Sequence, residues 1–193
     1  MKEEINIQLL LQGCLQGNRQ SQRKLYEHFY GYAMNVCLRY SKNQREAAEV
    51  LNDAFLKVFT HLDRYDASYP FRAWLRRILI NAAIDYYRKH HRVPDPVELT
   101  LSADRADEDL PLPQILPGED VLPLLQKLPP AYRMVFNLHV MEEFKHHEIA
   151  EMLGISAATS RSNFLRAKQK LREILLNDAS LLAGKNKKTW KIG

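Results

Sequence analysis

His147-Glu148-Ile149-Ala150-Glu151-Met152-Leu153-Gly154-Ile155-Ser156-Ala157-Ala158-Thr159-Ser160-Arg161 is the stretch on which the reading of this chain turns. Ile149, Ala150 and Leu153 recur at helical spacing, and Gly154 suits the left-handed position that closes a helix. Ser156 suits the N-cap of the next one. Two helices joined by so tight a turn cross steeply, and the small Ala150 permits their close approach. The pattern is a helix-turn-helix, with a merely structural helical hairpin as the plainer alternative. The second helix, from Ala157 towards Leu176, is expected to pack Phe164, Ala167, Leu171 and Ile174 inward. Ala158, Arg161, Ser162 and Leu165 then face outward at i, i+3, i+4 and i+7. Arg161 after small residues suits a major groove, where arginine bonds guanine bidentately. Arg166, Lys168, Lys170 and Arg172 are expected to meet phosphates. Upstream, Leu128-Pro129-Pro130 opens a further helix running to about Glu142.

Moving outward, residues 93–120 carry one basic residue against eight acidic ones, a net −7. The flanking segments 1–92 and 121–193 each carry +6. Pro94, Pro96, Pro111, Pro113 and Pro117 interrupt any helix in the acidic stretch, and its like charges repel. It reads as a linker between two domains rather than a loop on one, since structureless loops of this length are uncommon inside compact folds. The expected boundaries are 1–92, a linker over 93–120, a second domain over 121–178 and a basic tail over 179–193. The 193-residue length accommodates two small domains.

From Ile5 to Arg92 the apolar spacing is helical, with Pro70 the single proline and no period-two alternation. Asn18 looks like the N-cap of a helix carrying Leu25, Phe29, Tyr32, Ala33, Val36 and Cys37. A second run holds Ala47 to Leu62 and a third holds Phe71 to Tyr86. The fold class is therefore all-α: a helical bundle and a helix-turn-helix domain. On the second run Glu46, Glu49, Asn52 and Asp53 share one face. An acidic face on a basic domain suits a cationic protein partner better than DNA, although a merely solvated face has the same composition. On the third run Arg72, Arg76, Arg77, Arg88, Lys89 and Arg92 interleave with Trp74, Tyr86 and Tyr87. Rings beside guanidinium groups suit single-stranded DNA. Asn81 offers a donor and an acceptor to an extruded base. Trp74, next to Leu75 at helical spacing, equally suits a core.

Other chemistry finds little support. There is no P-loop, no G-x-G-x-x-G and no nucleophile elbow, so no enzyme is expected. His139, His146, His147 and Cys37 lack the spacing of a metal site, and no metal or cofactor is expected. Two cysteines, an acidic start at Met1-Lys2-Glu3-Glu4 and no run of eighteen apolar residues point to a cytoplasmic protein without a membrane span.

Glu46-Ala47-Ala48-Glu49-Val50-Leu51-Asn52-Asp53-Ala54-Phe55, then Phe71-Arg72-Ala73-Trp74-Leu75 with Asn81 and Asp85, then the Leu-Pro, Tyr-Arg, Glu-Ile-Ala, Leu-Gly-Ile-Ser and Arg-Ala-Lys series from Leu128 to Lys168, follow one another in order. Together they resemble the extracytoplasmic-function (ECF) sigma factors of bacterial RNA polymerase over roughly Leu9 to Leu176. The resemblance implies a non-catalytic initiation factor that directs core polymerase to a class of promoters. In it Glu46, Glu49, Asn52 and Asp53 bind the β′ clamp helices. Arg72, Trp74, Arg76, Arg77, Asn81 and Arg88 lie at the melted −10 element, and Ala158, Arg161, Ser162, Leu165 and Arg166 at the −35 element. The second domain also touches the β flap, the acidic linker runs through the polymerase channel, and an anti-sigma factor regulates the whole. Asn52 stands where the family usually has Gln, and Ala158-Thr159-Ser160 where it commonly has Gly-Thr-Val. Two alternatives of other classes are a free-standing dimeric regulator, which needs no acidic face, and a nucleic-acid hydrolase, which needs clustered metal-binding carboxylates.

Overall fold

Four asparagine or serine side chains start helices in this protein, each accepting a backbone N–H that the first turn leaves without a partner. The computed structural model describes residues 6–91 and 121–187, with side chains to residue 177. The acidic segment 93–120, Arg92 and every side chain of the expected tail 179–193 lie outside the described residues. All regular structure among the described residues is helical, and the chain divides into two units, Met1–His91 and Arg92–Gly193.

The first unit comprises α1 (Ile7–Leu15), α2 (Arg19–Tyr40), α3 (Gln44–Thr60), a 3-10 turn (Leu62–Arg64) and α4 (Phe71–His90). Asn6 Oδ1 caps α1 through Leu9 N at 3.1 Å, and Asn18 Oδ1 caps α2 through Ser21 N at 3.0 Å. Asn43 Oδ1 caps α3 through Glu46 N at 2.9 Å, and Glu46 Oε2 reaches back to accept from Lys42 N at 2.8 Å. Leu25, Ala33, Cys37, Leu51, Val58, Leu75 and Leu79 form the core where α2, α3 and α4 meet. The second and third apolar runs of the sequence correspond to α3 and α4.

The second unit comprises α5 (Val121–Gln126), α6 (Pro130–Val140), α7 (His146–Leu153) and α8 (Ala157–Lys187). α6 stops at Val140, short of the Glu142 suggested by its pattern, and Glu143 takes a left-handed φ of 61° as the chain turns into α7. Gly154 has φ 68°, as its place after Leu153 requires, and Ile155 N bonds Ala150 O at 3.0 Å. Ser156 Oγ accepts from Thr159 N at 2.9 Å and opens α8. α5 was not anticipated by the sequence. Its Leu124 and Leu125 join Leu128, Phe136, Ala167 and Leu171 in one apolar cluster, with Phe164 and Ile174 half-buried at its edge.

Candidate interaction surfaces

On α3, Ala47, Val50, Leu51, Ala54, Phe55 and Val58 are buried, which turns positions 49, 52, 53 and 56 to solvent. Glu49, Asn52 and Asp53 are exposed. Glu46 is half-buried, its carboxylate engaged at the start of its own helix. Glu49 keeps 47% of its side chain in solvent, with Arg45 Nε 3.4 Å away. Across the helix boundary, Tyr86 of α4 lies close enough for the Glu49 charge to act on its phenol. Desolvation, then the charges of Glu49 and Glu46, raise the Tyr86 phenol above its ordinary pKa. A second link joins the same two helices, Lys57 Nζ to Asp85 Oδ2 at 2.6 Å.

The six residues expected at melted DNA do not form one surface. Along a continuous α-helix, Trp74, Arg77, Asn81 and Arg88 follow a single stripe, whereas Arg72 and Arg76 fall about half a turn away. Arg77, Asn81 and Arg88 are exposed. Trp74 is half-buried against Tyr65 and Phe71, with ring centroids 5.4 and 5.6 Å away, so one part of the indole is packed and the rest faces water. The exposed Arg72 sets its guanidinium 4.0 Å above the Tyr32 ring, at the edge of a groove of about 820 Å³ between α1 and residues 62–71. Arg76 is half-buried. Tyr87 is buried, which removes it from the interleaved aromatics and raises its phenol pKa by desolvation.

In the second unit, Ala158 and Arg161 are exposed and Ser162, Leu165 and Arg166 are half-buried on α8. The opposite side carries buried Ser160, Ala167 and Leu171. Lys168 departs from expectation. It is 6% exposed, with its ammonium 5.1 Å from the Phe164 ring centroid, so its stem packs in the domain instead of facing phosphate. Lys170 pairs with Glu173 at 2.8 Å, and Arg172 is exposed. His139 and His146 stack at 4.4 Å beside Phe164. His139 Nδ1 donates to Phe144 O at 2.8 Å, and His146 Nδ1 lies 2.9 Å from Ser160 Oγ. These rings join α6, α7 and α8, so they have a packing role. No group of three His, Cys, Asp or Glu side chains among the described residues is placed to hold a metal ion.

The family of sigma-70 region 2 matches residues 25–93, and that of sigma-70 region 4 matches residues 119–171. The ECF RNA polymerase sigma factor SigW of Bacillus subtilis (strain 168) is 30% identical over 156 residues, which cover 72% of this chain and 81% of SigW. The chain belongs to the ECF RNA polymerase sigma factors. SigM of the same organism is 27% identical over 157 residues, covering 78% of this sigma factor and 93% of its own chain. A solved structure of CnrH in complex with the cytosolic domain of CnrY is 26% identical, covers 88% of this chain and 97% of its own, and superposes with a TM-score of 0.44.

The region 2 match in this sigma factor begins inside α2, so α1 precedes it, and α8 continues past the end of the region 4 match. No described helix is long and apolar enough to cross a membrane. The sequence reading missed one residue of the sigma factor's exposed α3 stripe and misjudged the surroundings of one on α4. Leu56 is 64% exposed and continues the stripe of Glu49, Asn52 and Asp53. Its spacing was legible, but a leucine in an apolar run reads as core. Tyr86 stands among arginines in the sequence, yet the structure sets it near Glu49, 37 positions away in the chain.

Proposed function

We propose that this sigma factor docks on core RNA polymerase through the exposed stripe of α3, with Glu49, Asn52 and Asp53 meeting the basic surface of the β′ clamp helices and Leu56 as an apolar anchor among them. An apolar residue ringed by polar ones is the usual anatomy of a protein interface. Trp74, Arg77, Asn81 and Arg88 then take the separated strand of the −10 element, the indole and guanidinium groups offering stacking and charge and Asn81 a donor–acceptor pair. Arg72 and Arg76 stand apart from that stripe and serve the neighbouring backbone. Ala158, Arg161, Ser162, Leu165 and Arg166 enter the major groove at the −35 element, and the same unit contacts the β flap. The factor performs no covalent step: binding energy from captured bases opens the duplex. It works in the cytoplasm and is held by an anti-sigma protein, as is usual in this family.

The observation that carries the reading is the acidic stripe itself. In a segment, 1–92, whose charges sum to +6, α3 exposes Glu49 and Asp53 side by side with Asn52 on one face, where they would repel DNA and attract a cationic protein. Reversing both charges, Glu49→Lys with Asp53→Lys, is expected to weaken binding to purified core polymerase at least about tenfold, while the melting temperature stays within a few degrees of the parent. Unchanged affinity in a pull-down or anisotropy titration would remove α3 from the interface.

A further inference from the structure

We infer that Ser160 and His146 are positioning residues of the promoter-reading surface, fixing how α8 is rotated about its own axis so that Ala158, Arg161 and Ser162 meet the bases. The inference rests on the α8 reading of the −35 element proposed above. Ser160 is fully buried in the first turn of α8. Its Oγ lies 2.9 Å from Nδ1 of His146, the first residue of α7. This hydrogen bond joins the two helices on either side of the Gly154 turn, between residues 14 positions apart in the chain. The His146 ring is stacked on that of His139 in α6, with centroids 4.4 Å apart and planes inclined at 21°. His139 is fixed in turn, its Nδ1 donating to Phe144 O at 2.8 Å. The bracket therefore runs from α6 through α7 to α8.

Apolar contacts alone would hold α8 less closely to one rotation. The side that α8 turns to α6 and α7 carries Ser160, Phe164, Ala167 and Leu171, and Ser160 supplies the one hydroxyl in that stripe. Hydrophobic burial is non-directional, so a slightly rotated helix keeps most of it. A hydrogen bond is lost once its distance or angle drifts. The consequence falls on Arg161, the next residue, which is exposed. A rotation of about 20° carries a group about 6 Å from the helix axis through about 2 Å. That is more than a base-edge hydrogen bond tolerates. Ser160 stands among the residues that read the bases, whereas Leu171 anchors the same stripe about three turns further on.

The test uses holoenzyme assembled from purified core polymerase and intact chains. Parent holoenzyme first selects duplexes from a random-sequence library, and the tightest is titrated beside a copy scrambled over its upstream element. The ratio of the two affinities is the readout, because a smaller folded fraction lowers both equally. Ser160→Ala and His146→Phe, which keeps a ring on His139, are each expected to lower that ratio at least about fivefold, the worth of one base contact. Combined, they should cost no more than either alone. His146→Asn, whose amide stands where Nδ1 stands, should recover most of the parent ratio. A parent-like ratio for Ser160→Ala, additive losses in the double variant, or no recovery by His146→Asn overturns the inference. Arg161→Ala with Ser162→Ala tests the reading beneath it: a parent-like ratio there would remove α8 from the −35 element, and the inference with it.

Discussion

Glu46, Glu49 and Asp53 are three carboxylates on one side of α3 with different work to do. Glu46 accepts the Lys42 N–H at 2.8 Å while Asn43 caps the same turn, so its contribution is to the helix start. Glu46→Gln is expected to lower stability by about 1 kcal/mol or less and to leave polymerase affinity close to that of the parent, as thermal melts and a binding titration would show. Asp53→Asn should do the reverse. Cys37 carries a prediction about pH. It is fully buried, and desolvation pushes its thiol from the ordinary 9.0 up to about 12. The folded state thus keeps a neutral thiol over a range in which the unfolded chain ionises. Its stabilising contribution is complete below about pH 9 and is lost as pH rises towards 12. Urea midpoints of the parent should therefore fall more steeply above about pH 9 than those of Cys37→Ala, which removes the titrating group; parallel decline would contradict the assignment.

At the scale of elements, the turn between α7 and α8 decides where α8 points. Gly154 sits at φ 68°, and a Cβ there would meet no atom within 4 Å. The penalty for a larger residue is therefore backbone strain alone. Gly154→Ala should destabilise the second unit by about 1–2 kcal/mol without unfolding it, measured as a lowered melting temperature. A larger loss would mean that the turn is doing more than closing a helix. The stacked His139 and His146, with Ser160 and Phe164, brace the same junction from inside. In α4 the division into two faces follows from continuity. An unbroken helix from Phe71 to His90 cannot turn Arg72 and Asn81 the same way. Arg72 instead lies over Tyr32 of α2, a cation–π contact that ties the start of α4 to the bundle.

For the whole molecule, the main fact is that there are two cores. Leu25, Leu51, Leu75 and Leu79 close one unit, and Leu125, Leu128, Phe136 and Leu171 close the other. Each unit buries its own apolar surface and should fold alone. A fragment of residues 1–91 is expected to melt cooperatively and to bind core polymerase within about tenfold of the intact chain. Non-cooperative melting by circular dichroism would show that the first unit needs the rest of the chain. The charges of +6, −7 and +6 along the sequence set two basic segments on either side of an acidic one. That pattern was legible from composition alone, and so was the division into units.

The sequence by itself determined the helices, their caps at Asn18 and Ser156, the left-handed break at Gly154 and the acidic stripe of α3. These depend on interactions within about four residues, where spacing and side-chain type suffice. Only the tertiary structure decided that Tyr86 lies near Glu49, that Tyr87 and Lys168 are buried, that Leu56 is left in water and that α5 completes the second core. Each of those outcomes depends on which neighbour a distant part of the chain places alongside. A periodic pattern shows that a helix has an inward face, but the meeting of helices decides what that face touches.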